Sequence, residues 1–290
     1  MSKSIIILST FSSGSSALLK FLARMPQVRH IAHTKHHEHE TLYWAKAASV
    51  LKLPQIPMKG SIVPFSPKEG RSELIKLLQE NLDSYRIPDN DDELIFGGWK
   101  LLCEKFEPVF VEKSPHHLFQ WSCLELIQRC VDKHPKIGVL LIGLIRNPMD
   151  TLYSMWKRWR VAPEEHQSLL LIAYRNLLKL KESGRKDLVI IKYEDIVKDA
   201  SCLKDVYSFI GNTNDNGSKY FHEKSVSGWR KDQYWGFQLS PEALALAEQF
   251  GYERPQLTNE INGKKIIWPI YKLVKRNARL LKTKFRKERK

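Results

Sequence analysis

Four short apolar runs punctuate the chain: Ile5 to Leu8, Val109 to Val111, Val139 to Ile145 and Leu188 to Ile191. None alternates apolar with polar residues, so each predicts a strand covered on both faces rather than one side of a sandwich. A polar turn follows each run, and apolar residues then recur at three- and four-residue steps, the period of a helix. Strand, turn and helix repeated in that order predict an α/β fold in one domain, a central parallel sheet flanked by helices, because parallel neighbours need a long crossover between them. The proline-rich stretch Leu53 to Gly70 reads as a loop and a candidate substrate lid, with further loops at Pro88 to Glu93 and Gly211 to Ser218.

The pattern changes after residue 263. Ile267, Ile270, Val274, Ala278, Leu281 and Phe285 recur at helical steps, in a segment with twelve lysines and arginines against the single Glu288. That segment, Lys264 to Lys290, carries +11 of the chain's net +15. The expected division is therefore a domain over 1–263 and a basic amphipathic helix over 264–290. Such a helix suits an anionic membrane surface, and equally an ordinary docked helix with a solvated basic face. Nucleic acid is not expected as a partner, since no zinc-finger, RNP or helix-turn-helix pattern accompanies the charge. No run of eighteen apolar residues and no secretory leader stands out. Cys103, Cys123, Cys130 and Cys202 show neither zinc spacing nor a CxxC pair. The expectation is a cytoplasmic protein, at most peripheral to a membrane, whose thiols are reduced and serve packing.

Candidate chemistry begins where the first run enters Ser9-Thr10-Phe11-Ser12-Ser13-Gly14-Ser15-Ser16 and then the helical pattern of Ala17 to Leu22. A buried strand, a turn of small hydroxyl residues around one glycine and an immediate helix gather backbone N–H groups at a positive helix end. Ser12, Ser13, Gly14, Ser15 and Ser16 thus predict a cradle for phosphate or sulfate oxygens. A serine-rich helix cap is the plainer reading. A loop for nucleoside triphosphates would place lysine after the glycine, where Ser15 stands, so a nucleotide kinase is the weaker enzymatic alternative. A second anion signal follows the third run, where Arg146-Asn147-Pro148 opens a helix and Ser154 stands eight residues beyond the arginine. Two anion sites imply a ligand with two anionic groups.

These motifs, in this order, resemble those of the sulfotransferases that use 3′-phosphoadenosine 5′-phosphosulfate (PAPS). The resemblance implies a P-loop-like nucleotide-transferase fold in which Ser12 to Ser16 hold the 5′-phosphosulfate, while Arg146 and Ser154 hold the 3′-phosphate. Val111-Glu112-Lys113-Ser114-Pro115 is similar to a segment of the carbohydrate-modifying branch. Ile191-Lys192-Tyr193-Glu194-Asp195 is similar to one whose tyrosine lies near the adenine, and Ser225 to Arg230 to one that closes over the nucleotide through Trp229 and Arg230. The implied reaction moves a sulfuryl group in line to an acceptor hydroxyl, on a carbohydrate or lipid-linked sugar with small-molecule alcohols as the alternative, and leaves 3′-phosphoadenosine 5′-phosphate. No metal is implied. Transfer of this kind needs charge balance on the leaving oxygen and a base for the hydroxyl proton.

The chain departs from the family at both needs. Ser12 occupies the position of the loop cation, which makes Lys113 the expected replacement and Arg230 the next choice. A glutamate that follows a Pro-x-Val turn in several branches is replaced, after Pro26-Gln27-Val28, by His33. His33 is the expected base, with His36, His37 and Glu40 as competitors. Five histidines in ten residues, from His30 to His39, also admit a metal-site reading. The alternative outside catalysis is a weakened anion-binding peripheral membrane protein of the same fold.

Overall fold

The computed structural model describes residues 2–58, 60–211 and 220–288. Chain order runs β1 (Lys3–Ser9), α1 (Ser15–Leu22), β2 (Val28–His30), α2 (Tyr43–Val50), α3 (Pro67–Asn81), α4 (Gly98–Lys105), β3 (Val109–Lys113), α5 (His116–Phe119), α6 (Trp121–Lys133) and β4 (Gly138–Ile145). It continues with α7 (Pro148–Trp159), α8 (Pro163–Glu182), β5 (Leu188–Lys192), α9 (Tyr193–Lys198), α10 (Lys204–Ile210), α11 (Pro241–Gln249), α12 (Arg254–Leu257) and α13 (Trp268–Glu288). These elements form two compact units, residues 1–145 with 176–221, and residues 146–175 with 222–290.

The first unit holds the sheet, five parallel strands in the order β2-β3-β1-β4-β5. The four apolar runs became β1, β3, β4 and β5, so the expected α/β class with a central parallel sheet is the class observed. β1 lies between β3 and β4, and Ile5, Ile6, Ile7 and Leu8 are all buried, as continuous apolar runs in doubly covered strands must be. Each such side chain contributes about 1.5–3 kcal/mol on burial. Gly143 of β4 lets α8 sit close, because a β-carbon there would stand 2.6 Å from Leu177 Cδ1.

Two loop boundaries differ from the sequence expectation. The loop after Leu53 ends at Ser66, not Gly70, because Ser66 and Glu69 form a reciprocal capping box with Pro67 at the first helical position of α3. The loop at 88–93 ends in a π-helical turn, Glu93–Gly97. Beyond Gly211, the loop expected to Ser218 lies outside the described residues, as do the side chains of His37, Leu281 and Phe285.

The second unit is helical around an aromatic core. Trp268 of α13 packs 5.0 Å from Trp156 of α7 and 4.8 Å from Trp235, ring centre to ring centre. Tyr174 packs on Phe250 at 5.4 Å.

Candidate active site

Parallel strands end on one edge of a sheet, and ligands of such sheets sit at the carboxyl edge where strand order reverses. Here that point is β1, flanked by strands added on either side. Ile7 of β1 is in register with Lys113, the last residue of β3, so the loop leaving β1 and the Lys113 side chain share this edge.

The loop folds as the sequence predicted. Gly14 caps α1 with φ of 95°, and a β-carbon on it would lie 2.3 Å from Tyr193 Cδ2. Both the left-handed backbone and the tyrosine ring therefore require glycine. Ser13 is buried and its hydroxyl donates to the Thr10 carbonyl at 2.7 Å, so what it can offer an anion is its amide. The first-turn amides of α1 have no intrahelical partner, and no acidic residue occupies that turn. Tyr193, expected near an adenine, opens α9 and is buried with its ring against Gly14.

Lys113 brings an ammonium to the start of α1. Its side chain is 1% exposed, and its ammonium donates to Ser16 Oγ at 3.3 Å and to Glu40 Oε1 at 3.1 Å. Burial raises the Glu40 pKa above its ordinary value, and the facing Lys113 only partly opposes this. His116 Nδ1 stands 3.8 Å from the other Glu40 oxygen, and burial pushes that imidazole down to about 3, so it is neutral.

Behind the pair lies a network that fixes it. Glu112, adjacent to Lys113 and fully buried, accepts from Thr41 Oγ1 and Ser114 Oγ, both at 2.6 Å. Ser114 Oγ also accepts from the Thr41 and Leu42 amides at 3.1 and 3.0 Å. The Trp44 amide donates to His117 Nε2 at 3.2 Å, which puts that ring's proton on Nδ1, 3.4 Å from Glu112 Oε2. Burial would raise the Glu112 pKa, but His117 and the two hydroxyls outweigh it, so the carboxyl stays below its ordinary value. Glu40 is thus held from its neighbour Thr41 on one side. On the other side Thr34 Oγ1 donates to the Glu40 carbonyl at 2.7 Å and accepts from the His36 amide at 3.2 Å.

His33 is not among the groups brought together here. Its ring is exposed, and what is held is its main chain, between Asn81 Oδ1 and Asn81 Nδ2 at 3.3 and 2.8 Å. His30 and His39 pair at 4.6 Å instead of converging with the rest. Among the described residues no three His, Cys, Asp or Glu side chains gather as metal ligands. Sequence reasoning weighed Glu40 but missed Thr41, His116 and His117. The two histidines stand directly after the Glu-Lys-Ser-Pro motif, and that adjacency was the available signal.

In the second unit the remaining expected residues form their own constellation. Arg146 is buried; its guanidinium donates to the Ser225 carbonyl and its own carbonyl accepts from the Tyr174 hydroxyl. Asn147 caps α7 by accepting from the Met149 amide at 2.9 Å, with Pro148 at the first turn. Asp150, in the first turn of α7, accepts from the Ser227 amide at 2.9 Å. The Arg146 and Ser225–Arg230 motifs, distant in sequence, are therefore bonded to each other. Ser154 lies on α7, half-buried. Trp229 is buried, and the exposed Arg230 stacks its guanidinium 4.4 Å over that ring while donating to the Pro255 carbonyl.

No protein-family model and no curated protein matches the chain. Among solved structures it is similar to the sulfotransferase domain of the Synechococcus PCC 7002 olefin synthase, with 17% identity and a TM-score of 0.50 over 87% of this chain and 94% of that one. It is also similar to the sulfotransferase domain from the curacin biosynthetic pathway, with 16% identity and a TM-score of 0.54 over 87% and 98% of the two chains. The fold of this chain is the fold of those domains.

Proposed function

We propose that this protein is a sulfotransferase that moves the sulfuryl group of PAPS to an acceptor hydroxyl. The observation that carries the reading is the buried Lys113 ammonium, 3.3 Å from Ser16 at the mouth of the α1 loop and paired with Glu40. Beside the single carboxylate of Glu40, the groups on offer at that loop among the described residues are amides, hydroxyls and the Lys113 ammonium, a set that suits a phosphosulfate and falls short of the carboxylate cage a divalent metal wants. Lys113 supplies the charge that Ser12 does not.

PAPS supplies a sulfuryl group on a phosphate leaving group. The α1 amides and the Ser15 and Ser16 hydroxyls hold that phosphate end, and Lys113 neutralises charge as it builds on the bridging oxygen. Glu40 takes the proton of the acceptor hydroxyl; it is already turned toward Lys113, and its raised pKa makes it a stronger base than a surface carboxylate. This favours Glu40 over His33. Arg146 and Ser154 take the 3′-phosphate, Tyr193 borders the adenine, and Trp229 with Arg230 covers the nucleotide. A carbohydrate or lipid-linked sugar is the acceptor we propose from the Glu-Lys-Ser-Pro segment, with the 53–66 loop as its lid. The transferase portion is residues 1–263, with 264–290 appended, in a cytoplasmic protein that attaches peripherally to a membrane.

Labelled donor incubated with the protein and a panel of sugars and glycolipids tests this directly. Lys113→Ala is expected to lower turnover about hundredfold. Glu40→Gln is expected to lower it similarly and to remove the acid limb of the pH–rate profile, which in the wild type lies above the ordinary glutamate range. Turnover of Lys113→Ala within a few-fold of wild type removes Lys113 from the mechanism. Binding of 3′-phosphoadenosine 5′-phosphate without turnover on any acceptor favours the anion-binding alternative.

A further inference from the structure

Among its described side chains, up to Arg279, α13 is seated along one side only. Trp268 is buried in the aromatic core, Tyr271 stacks on Tyr234 at 4.6 Å, and Lys272 and Arg276 pair with Glu164 and Glu165 at 2.5 and 3.0 Å. These positions recur at three- and four-residue steps and define the docked face. On the other side Ile270, Leu273 and Val274, with Ile266 and Ile267 in the turn just before the helix, are 46 to 66% exposed. Five of the ten exposed large apolar residues described thus fall within nine positions, a concentration that single surface leucines do not explain.

We propose that this face is a docking surface for an anionic lipid bilayer. The charge of the segment selects the occupant. With twelve cations and one anion between Lys264 and Lys290, a second copy of the chain would bring like charge against like. A bilayer carrying acidic headgroups offers negative potential across its whole surface, felt within about 8 Å at physiological salt. The helix lies in the interface plane, with Ile270, Leu273 and Val274 among the acyl chains and the docked side, Trp268 to Arg276, keeping the protein attached above. Lys264 and Lys275, both exposed, flank the apolar strip at headgroup level. Docking needs neither donor nor turnover, so it stands or falls apart from the proposed reaction.

Cosedimentation of the full chain with vesicles tests it. Wild type is expected to pellet with phosphatidylcholine vesicles containing about one third phosphatidylglycerol, and about tenfold less with phosphatidylcholine alone or after Ile270→Asp with Leu273→Asp. Because both positions are exposed, that variant keeps the wild-type circular dichroism and melting midpoint. Absence of wild-type binding overturns the proposal, as does unchanged binding by the double variant, which would mean adhesion by charge alone. So does a lipid-free dimer, seen by sedimentation equilibrium, that the double variant abolishes, or capture by an acidic protein with no affinity for the vesicles.

Discussion

Gly14 meets two demands at one residue, a left-handed backbone and a tyrosine ring where a side chain would begin. Gly14→Ala is expected to cost about 1–3 kcal/mol from the backbone alone, more from displacing Tyr193, and to lower the denaturant midpoint accordingly. A midpoint at the wild-type value would show that the ring does not lie against this turn. Glu112 gives a pH signature. Its folded pKa is below its unfolded value, so the stability it contributes is present above the ordinary glutamate range and is lost as pH falls through the folded value. Unfolding free energy followed against pH should drop on that acid limb in wild type, and the slope should flatten in Glu112→Gln. An identical slope in both would assign the limb to other carboxylates. Glu112 and Lys113 are sequence neighbours with opposite tasks: one ties down the 41–44 segment, the other reaches the loop.

Among the elements, the segment 225–229 is tied to α7 and the residues just before it through Arg146 on Ser225 and Asp150 on Ser227. Asp150→Ala removes a buried charged acceptor and leaves the Ser227 amide without that bond, at an expected cost of about 1–3 kcal/mol. Limited proteolysis should then cut between 222 and 230 first; a wild-type digestion pattern would count against the clip. The strands were legible in the sequence because burial on both faces leaves no polar position to blur the run. β2 was not: Val28-Arg29-His30 has one buried apolar residue, and an edge strand of three residues carries too little pattern. The start of α3 was written in Ser66-Pro67-Lys68-Glu69, a capping signal that the surrounding prolines obscured. The α1 loop and the lysine of β3 could be read locally, each as a motif. The joining of Glu40 to Lys113 depends on β2 lying beside β3, and that of Ser225 to Arg146 on how the helical second unit packs; no local spacing encodes either.

Across the molecule, shared fold with 16–17% identity to the solved domains is what a packed α/β core permits, since it constrains apolar volume and period more than residue identity. Charge is distributed differently from apolar volume: residues 1–263 carry +4 and the remainder +11. Among the described residues no helix is long and apolar enough to cross a membrane. Of the four cysteines, which are free, three are buried and Cys202 is exposed. The packing of Trp268 between Trp156 and Trp235 has a further use. Three indoles about 5 Å apart, crossing at 75° and 62°, couple their electronic transitions, so the near-ultraviolet dichroism of this protein should contain a paired band that one tryptophan alone cannot give. Trp44 and Trp99, 4.8 Å apart, add a coupled pair of their own, so the difference between the wild-type and Trp268→Phe spectra is what gauges the seating of the last helix.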